Sequence, residues 1–382
     1  MRKFLYADKF FMNSATRGPG YLEIVEGKFG AYTKELPAGD YEVIDKSGSW
    51  IAPGLVDTHI HGYKNHDVMD NDAEGLKVMS DGLLECGVTS YLPTTLTSSK
   101  ERLKDVAATI ASVKDDVTGA KIQGIYFEGP FFTEEHKGAQ NPIYFGDPDL
   151  DTFHEWQDAA QGLIKKIALA PERKGVKEFV STVTKEGVVV SLGHSNATLE
   201  EAEEAVEAGA SVFVHAYNGM RGLNHREPGM VGALLSLQHV FSELICDGHH
   251  VHPQAAEILM EKAGHDHVAL ITDCMMAGGM PDGDYILGEF PVVVKEGTAR
   301  LESGNLAGSI LKLKDAIKNV VDWGIATPEQ AIMMATWVPA VSCHMDDACG
   351  LIKEGRDADF IVLNPDMTLQ ATYLDGAVRY EA

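Results

Sequence analysis

The stretch Ile51-Ala52-Pro53-Gly54-Leu55-Val56-Asp57-Thr58-His59-Ile60-His61 decides the reading of the fold. An apolar run gives way, at its end, to polar side chains that include His-x-His. Side chains alternate along an extended segment, so His59 and His61 project to one side. The same unit recurs along the chain. Short apolar, β-branched runs at residues 51–56, 89–93, 122–127, 167–170, 188–192, 212–214, 244–245 and 268–271 each end near a polar residue and lead toward a helical pattern. Continuous apolar runs, as opposed to alternating ones, suit strands buried on both faces.

The segments between the runs carry helix signals. Thr198-Leu199-Glu200-Glu201 reads as a capping box opening a helix that runs to Ala208 and stops at Gly209. Residues 99–113 and 253–263 have helical periodicity, and residues 328–341 read as one helix with Pro328 in its first turn. Eight strands alternating with helices predict an α/β fold, a (β/α)8 TIM-like barrel. The competing architecture, an open doubly wound sheet, lacks its usual Gly-x-Gly-x-x-Gly signature here. The two ends differ from the middle. Residues 1–50 alternate apolar and polar between turn signals, and so does the chain from about residue 350, where Asp375-Gly376 reads as a hairpin turn. Each end alone is too short for a core. The expectation is a small β-sandwich domain built from residues 1–50 and 348–382, beside a barrel domain of residues 51–347.

Composition narrows the function. The chain has 382 residues, 45% of them hydrophobic and 23% charged, as in ordinary globular proteins. Its net charge of -25 repels phosphodiester backbones and anionic lipid, so neither nucleic acid nor membrane is expected as a partner. Five widely spaced cysteines without Cys-x-x-Cys suggest free thiols in a reducing compartment. No secretory leader is expected from the first residues, and no run approaches the roughly 18 apolar residues of a membrane span. A cytoplasmic location is the expectation.

Catalytic residues of such a barrel lie at the C-terminal ends of its strands. Asp57-Thr58-His59-Ile60-His61 follows the first run, Glu128-Gly129-Pro130 the third, Gly193-His194 the fifth, His215 the sixth and Asp273 the eighth. Five strands thus deliver metal-ligand residue types to one face. A lone histidine at a strand end is more often an ordinary polar residue; six suitable residues on five strands are hard to assign to chance. Imidazole and carboxylate are the usual ligands of zinc and similar divalent ions. A carboxylate between two such sites can bridge paired ions. The candidate metal site is therefore His59, His61, Glu128, His194, His215 and Asp273. The donors do not identify the metal: zinc is the first expectation, and iron, manganese or cobalt accept the same set. His136, His154, His225, His239, His265, His267 and His344 lie in loops or helical patterns, and most of them read as surface residues.

An acidic chain needs a local positive site to hold an anionic substrate. Arg221, His225 and Arg226 lie soon after His215, in a loop that also contains Asn218-Gly219-Met220 and Gly222. Exposed N–H groups and guanidinium forks make a phosphate cradle. The plainer alternative is a surface loop whose arginines pair with Glu227. Residues 290–301 read as a hairpin turning at Lys295-Glu296-Gly297, placed to cover the site.

The residues at this point resemble a known superfamily. His59-Ile60-His61 after Pro53-Gly54-Leu55-Val56-Asp57, the later Glu, His, His and Asp, and Lys353-Glu354-Gly355-Arg356-Asp357-Ala358-Asp359-Phe360 are similar to the amidohydrolases. Within them, the chain resembles the N-acetylglucosamine-6-phosphate deacetylase family through Glu128-Gly129-Pro130-Phe131, Gly193-His194-Ser195, His215-Ala216-Tyr217-Asn218, Arg226-Glu227-Pro228-Gly229, Asp247-Gly248-His249-His250-Val251 and Thr272-Asp273. The resemblance implies Glu128, His194 and His215 as one metal site and His59 and His61 as a second that some members lack. It implies one or two divalent ions per subunit. Asp273 would be the catalytic acid/base, with at most a secondary role as ligand, and His250 would contact the substrate and support the reacting carbonyl. Asn218 and Gly219 would lie near the phosphate of a phosphorylated amino sugar, and Arg226 would reach that phosphate from a neighbouring subunit of a homodimer. Gln140 departs from the histidine that some members carry; it can hydrogen-bond a sugar hydroxyl but cannot carry charge. The implied reaction is hydrolysis of an acetamide in amino-sugar catabolism. A D-aminoacylase, a dihydroorotase-like cyclic amidase and a non-catalytic scaffold are the alternatives. The cyclic amidases often bridge their metals with a modified lysine, and no lysine stands at a strand end here.

Overall fold

The buried runs become the staves of a barrel in a computed structural model that describes residues 2–12 and 15–382. The staves are β1 (Leu55–Ile60), β2 (Val88–Thr95), β3 (Ile125–Phe131), β4 (Ile164–Leu169), β5 (Val189–Leu192), β6 (Val212–Phe213), β7 (Phe241–Ile245) and β8 (Val268–Ile271). Each pairs in parallel with the next in chain order. The ring closes just beyond the strand ends, where Ile60 bridges Cys274, Asp273 N donates to His59 O at 2.8 Å and His61 N to Cys274 O at 2.8 Å. Val56, Leu92, Tyr126, Ala168 and Val214 fill the interior and meet Ala340, Cys343 and Met345. Helices close the outside, as with Leu103, Val106 and Ile110 of Lys100–Val113. Burying each such side chain is worth about 1.5–3 kcal/mol.

Three local expectations are corrected. The first apolar run is two strands. Residues 51–53 end the strand Glu42–Pro53 of the other sheet, and Leu55 begins the barrel. Gly54 makes the junction possible, because a Cβ there would lie 2.0 Å from Thr89 Oγ1. The third run starts later than expected: Ile122 belongs to a two-residue strand beside β2, and β3 begins at Ile125. The helix expected over 328–341 is broken into Pro328–Met334 and Trp337–Ser342. Pro339 has no N–H for the carbonyl of Ala335 four residues back; that carbonyl accepts from Val56 N at 2.9 Å instead. The capping box at Thr198 and the helix Leu199–Ala208 stand as read.

Both chain ends contribute to one mixed sheet. Ala377–Glu381, Leu369–Leu374, Phe360–Leu363, Glu42–Pro53, Arg2–Met12, Gly20–Val25 and Lys28–Thr33 lie side by side in that order. All these neighbours are antiparallel except Arg2–Met12 with Glu42–Pro53. The sheet folds over its own core of Leu5, Phe10, Leu22, Ile24, Ile51 and Val362, bringing Phe29 within 6.2 Å of Phe360 between ring centroids. Over the barrel mouth, the expected hairpin gains a third strand: Gly283–Leu287 pairs with Phe290–Lys295, and that with Thr298–Leu301. Its apolar side packs Leu287, Val292 and Val294 against Leu96, Met275 and Ala277. Among the described residues no helix is long and apolar enough to cross a membrane.

Candidate metal centre

Five strands converge on one carboxylate. Glu128, on β3, places Oε1 at 3.2 Å from Nε2 of His194, 3.2 Å from Nε2 of His215 and 3.5 Å from Nε2 of His59. Its Oε2 lies 3.3 Å from Nε2 of His61. The Nε2 atoms of His194 and His215 are 3.1 Å apart, and those of His59 and His61 3.3 Å. Asp273 sets Oδ1 at 3.1 Å from His61 and 3.6 Å from His59. Two donor groups result, His59–His61–Glu128 and Glu128–His194–His215, and Glu128 belongs to both. All these residues are buried; Asp273 retains 9% exposure toward the mouth.

The hydrogen bonds behind the imidazoles say what belongs between them. His61 Nδ1 contacts Thr94 O at 3.1 Å, His194 Nδ1 contacts His136 O at 2.9 Å, and His215 Nδ1 contacts Asn218 O at 3.1 Å. His59 Nδ1 lies 3.1 Å from Glu243 Oε2. Carbonyl and carboxylate oxygens only accept, so each Nδ1 carries the hydrogen and donates it. The Nε2 lone pairs then face one another and the oxygens of Glu128 and Asp273. Such an array of acceptors is repulsive unless positive charge lies among them. The pKa directions agree. Burial opposes charge on His61 and His215, yet the carboxylates hold both above the usual histidine value, His61 far above it. Burial likewise opposes ionisation of Glu128, but the four histidines hold it well below the usual carboxylate range, and His59 and His61 lower Asp273. Nitrogen and oxygen donors in this arrangement fit a divalent ion.

The backbone is bent to reach this geometry. His194, His215 and Asp273 have φ of 45°, 25° and 51°, a region that ordinary residues seldom adopt. Glycines make room: a Cβ on Gly219 (φ 61°) would lie 2.9 Å from His194 Nδ1.

A cavity of about 290 Å³ opens from the donors and is lined by Gln140, Asn218, Gly219, His250, Leu287 and Asn305 among others. His250 is held by Asp247, whose Oδ2 accepts from His250 Nδ1 at 2.6 Å while Oδ1 accepts from His249 N and His250 N at 2.8 Å each. Despite burial, these bonds keep Asp247 below the usual carboxylate value. Gln140 lines the cavity and is tied to the donor group behind it. It is buried, its Nε2 donates to Glu128 Oε2 at 2.6 Å, and its Oε1 accepts from Thr97 N at 2.9 Å. Arg226 is exposed and outside the cavity lining, while Arg221 donates to Asn196 O at 3.4 Å. Glu227 takes N–H groups of Leu199 and Gly229; no ion pair links it to either arginine among the described residues.

Sequence reading missed several polar residues behind the donors. Asp57 accepts from Thr272 Oγ1 at 2.6 Å and from His59 N at 3.3 Å, so it ties β1 to the residue before Asp273. Burial pushes its pKa up to about 7. Glu243 and Lys166 form a buried ion pair under His59. His136, grouped with histidines given no role at the site, supplies the carbonyl that orients His194.

Residues 50–379 match the model of the amidohydrolase family. An N-acetylglucosamine-6-phosphate deacetylase of Vibrio furnissii is 40% identical over 87% of this chain and 83% of its own. An N-acetylgalactosamine-6-phosphate deacetylase of Escherichia coli O157:H7 is 38% identical over 93% of each. Among solved structures, a mutant N-acetyl-D-glucosamine-6-phosphate deacetylase of Mycobacterium smegmatis, in complex with N-acetyl-D-glucosamine-6-phosphate, superposes with a TM-score of 0.92 at 29% identity over 99% of both chains. The chain therefore belongs to the amidohydrolase family, and the three relatives just named are amino-sugar-6-phosphate deacetylases.

Proposed function

We propose that this chain hydrolyses the acetamide of N-acetyl-D-glucosamine 6-phosphate, giving D-glucosamine 6-phosphate and acetate, in amino-sugar catabolism. The observation that carries the proposal is the convergence of four imidazole Nε2 atoms on Glu128, beside Asp273 and at the foot of a cavity that His250 helps to line. Glu128, His194 and His215 would hold one divalent ion. His59 and His61 would hold a second across Glu128. Zinc is the first candidate, and iron, manganese and cobalt suit the same donors. Such an ion, when bound, activates water and polarises a carbonyl at neutral pH.

The chain's own residues supply the rest. Asp273, facing the donors, takes a proton from the attacking water and delivers it to the departing amine nitrogen. His250, with Nδ1 held by Asp247, turns its other nitrogen to the carbonyl oxygen as charge develops there. Asn218 and Gly219 offer polar groups to the sugar phosphate. Gln140 holds Glu128 through one N–H and, from the cavity lining, is assigned a hydrogen bond to a sugar hydroxyl. Arg226 is assigned to the phosphate in a neighbouring subunit, and the working form to a homodimer. Its exposed place outside the lining supports that reading, as does Leu223, 62% exposed in the same loop. Catalysis is assigned to the barrel domain, which begins at Leu55 rather than at residue 51, and support to the small domain built from both chain ends. The five free, buried cysteines suit the reducing cytoplasm.

The test is acetate release from the 6-phosphates of N-acetylglucosamine and N-acetylgalactosamine, run beside a metal count per subunit. Turnover of the glucosamine derivative by metal-replete protein is expected, and no release from either would overturn the proposal. Asp273→Asn should lower kcat by about 10²–10⁴-fold with metal retained. Near-normal turnover would remove Asp273 from its role.

A further inference from the structure

Three of the four imidazoles are oriented by backbone carbonyls, which no substitution deletes. His59 differs. Its Nδ1 lies 3.1 Å from Oε2 of Glu243, a side chain on β7, one strand beyond β8, which closes the ring against β1. Glu243 is itself held: its Oε1 accepts from Lys166 Nζ on β4 and from Thr58 Oγ1 at 3.3 Å. The Lys166 ammonium also lies 3.7 Å from the centroid of the Tyr126 ring, and that ring meets His59 edge-on at 4.9 Å. Lys166, Glu243 and His59 are 0–1% exposed.

An ion pair this deep is an expensive way to stabilise a barrel, because apolar side chains of the same volume commonly do as well. Its placement suggests another use. A carboxylate behind an imidazole fixes its tautomer and ring plane and raises its basicity toward a metal. Lys166 gives that carboxylate its counter-charge and a fixed direction. Engaged this way, Lys166 is also withdrawn from any bridging role between ions. We infer that Lys166 and Glu243 are positioning residues that hold His59 as a ligand, so that the His59–His61 half of the centre binds a second divalent ion. The inference rests on the two-ion reading of the site given above.

The experiment measures affinities of the first and second zinc ions by competition with a chromophoric chelator, with cobalt(II) absorption spectra of the loaded protein as a second readout. Three proteins are compared: the parent, Glu243→Gln/Lys166→Met, and Glu243→Leu/Lys166→Met. The amide variant keeps an acceptor for His59 Nδ1–H but no charge; the apolar variant keeps neither. The first ion should bind equally in all three. The second should weaken stepwise, about tenfold or more in the amide variant and further in the apolar one. Retention of parental second-ion affinity by the amide variant overturns the inference alone, as does an apolar variant no weaker than the amide one. If the apolar variant fails to fold, the step from parent to amide variant decides. A parent that binds fewer than two ions in excess zinc overturns the two-ion reading, and the inference with it.

Discussion

His250 shows how one side chain is prepared by its neighbours. Asp247 accepts from Nδ1 and from two backbone N–H groups, so the ring cannot turn. His250→Ala is expected to lower kcat by about 10²–10³-fold, the usual effect of losing one donor to a developing oxyanion. Steady-state kinetics with a metal count checks this, and a loss confined to metal content would refute it. The cysteines give a negative prediction. All five are buried, and burial pushes the Cys86 and Cys349 thiols up to about 12, so little thiolate forms near neutrality. A thiol reagent should label none within minutes in the native protein and all five in denaturant; rapid labelling of a native thiol would contradict it. At this scale, the legible residues were those at strand ends, where position alone assigns a face. His59, His61, Glu128, His194 and His215 form the donor groups, and Asp273 stands against His61 and His59. Lys166 and Glu243 were illegible for a physical reason. Lys165 and Lys166 are adjacent within one strand, and which of them enters the barrel depends on a register that one sequence does not display.

Elements set the angles at which these residues meet. Gly219→Ala would force an alanine into a left-handed conformation, at a cost of about 1–2 kcal/mol. It would also press a methyl group toward the nitrogen that fixes His194. The expected result is weaker binding of the ion at Glu128, His194 and His215 together with a lower Tm. Unchanged metal affinity would show that the loop yields easily. Loss of the Thr198 cap is a purely structural contrast: Thr198→Ala should cost about 1 kcal/mol by denaturant titration and leave catalysis unchanged. The helix starts at Ser99, Thr198 and Pro253 were legible because capping chemistry is local. The break before Trp337 was legible only in part: Pro339 marks it, but the partner that takes the Ala335 carbonyl is Val56, nearly three hundred residues away in sequence.

For the molecule as a whole, the barrel was readable from the recurrence of its unit. The pairing of both ends followed from neither end having a core of its own. Charge and pH act at this scale too. Burial raises Asp57 and Asp67 to about 7, so between about 4 and 7 the fold keeps both protonated while the unfolded chain ionises them. The folded state binds more protons there, and their contribution to stability falls as pH rises through that window. Asp57→Asn/Asp67→Asn should flatten the slope of unfolding free energy between pH 4 and 7; an unchanged slope would exclude both. At net charge -25, the anionic substrate depends on local cations. Arg226→Ala should raise KM for the phosphorylated sugar far more than for N-acetylglucosamine, and equal effects would remove its phosphate role.

The carbonyls behind His61, His194 and His215 have one more consequence. Because main-chain oxygens fix these rings, the ion itself need not assemble the centre. A chelator should strip the protein without unfolding it, and added zinc, manganese or cobalt should restore activity without a refolding lag. Selection among those metals would then fall to whichever one the surroundings hold in supply.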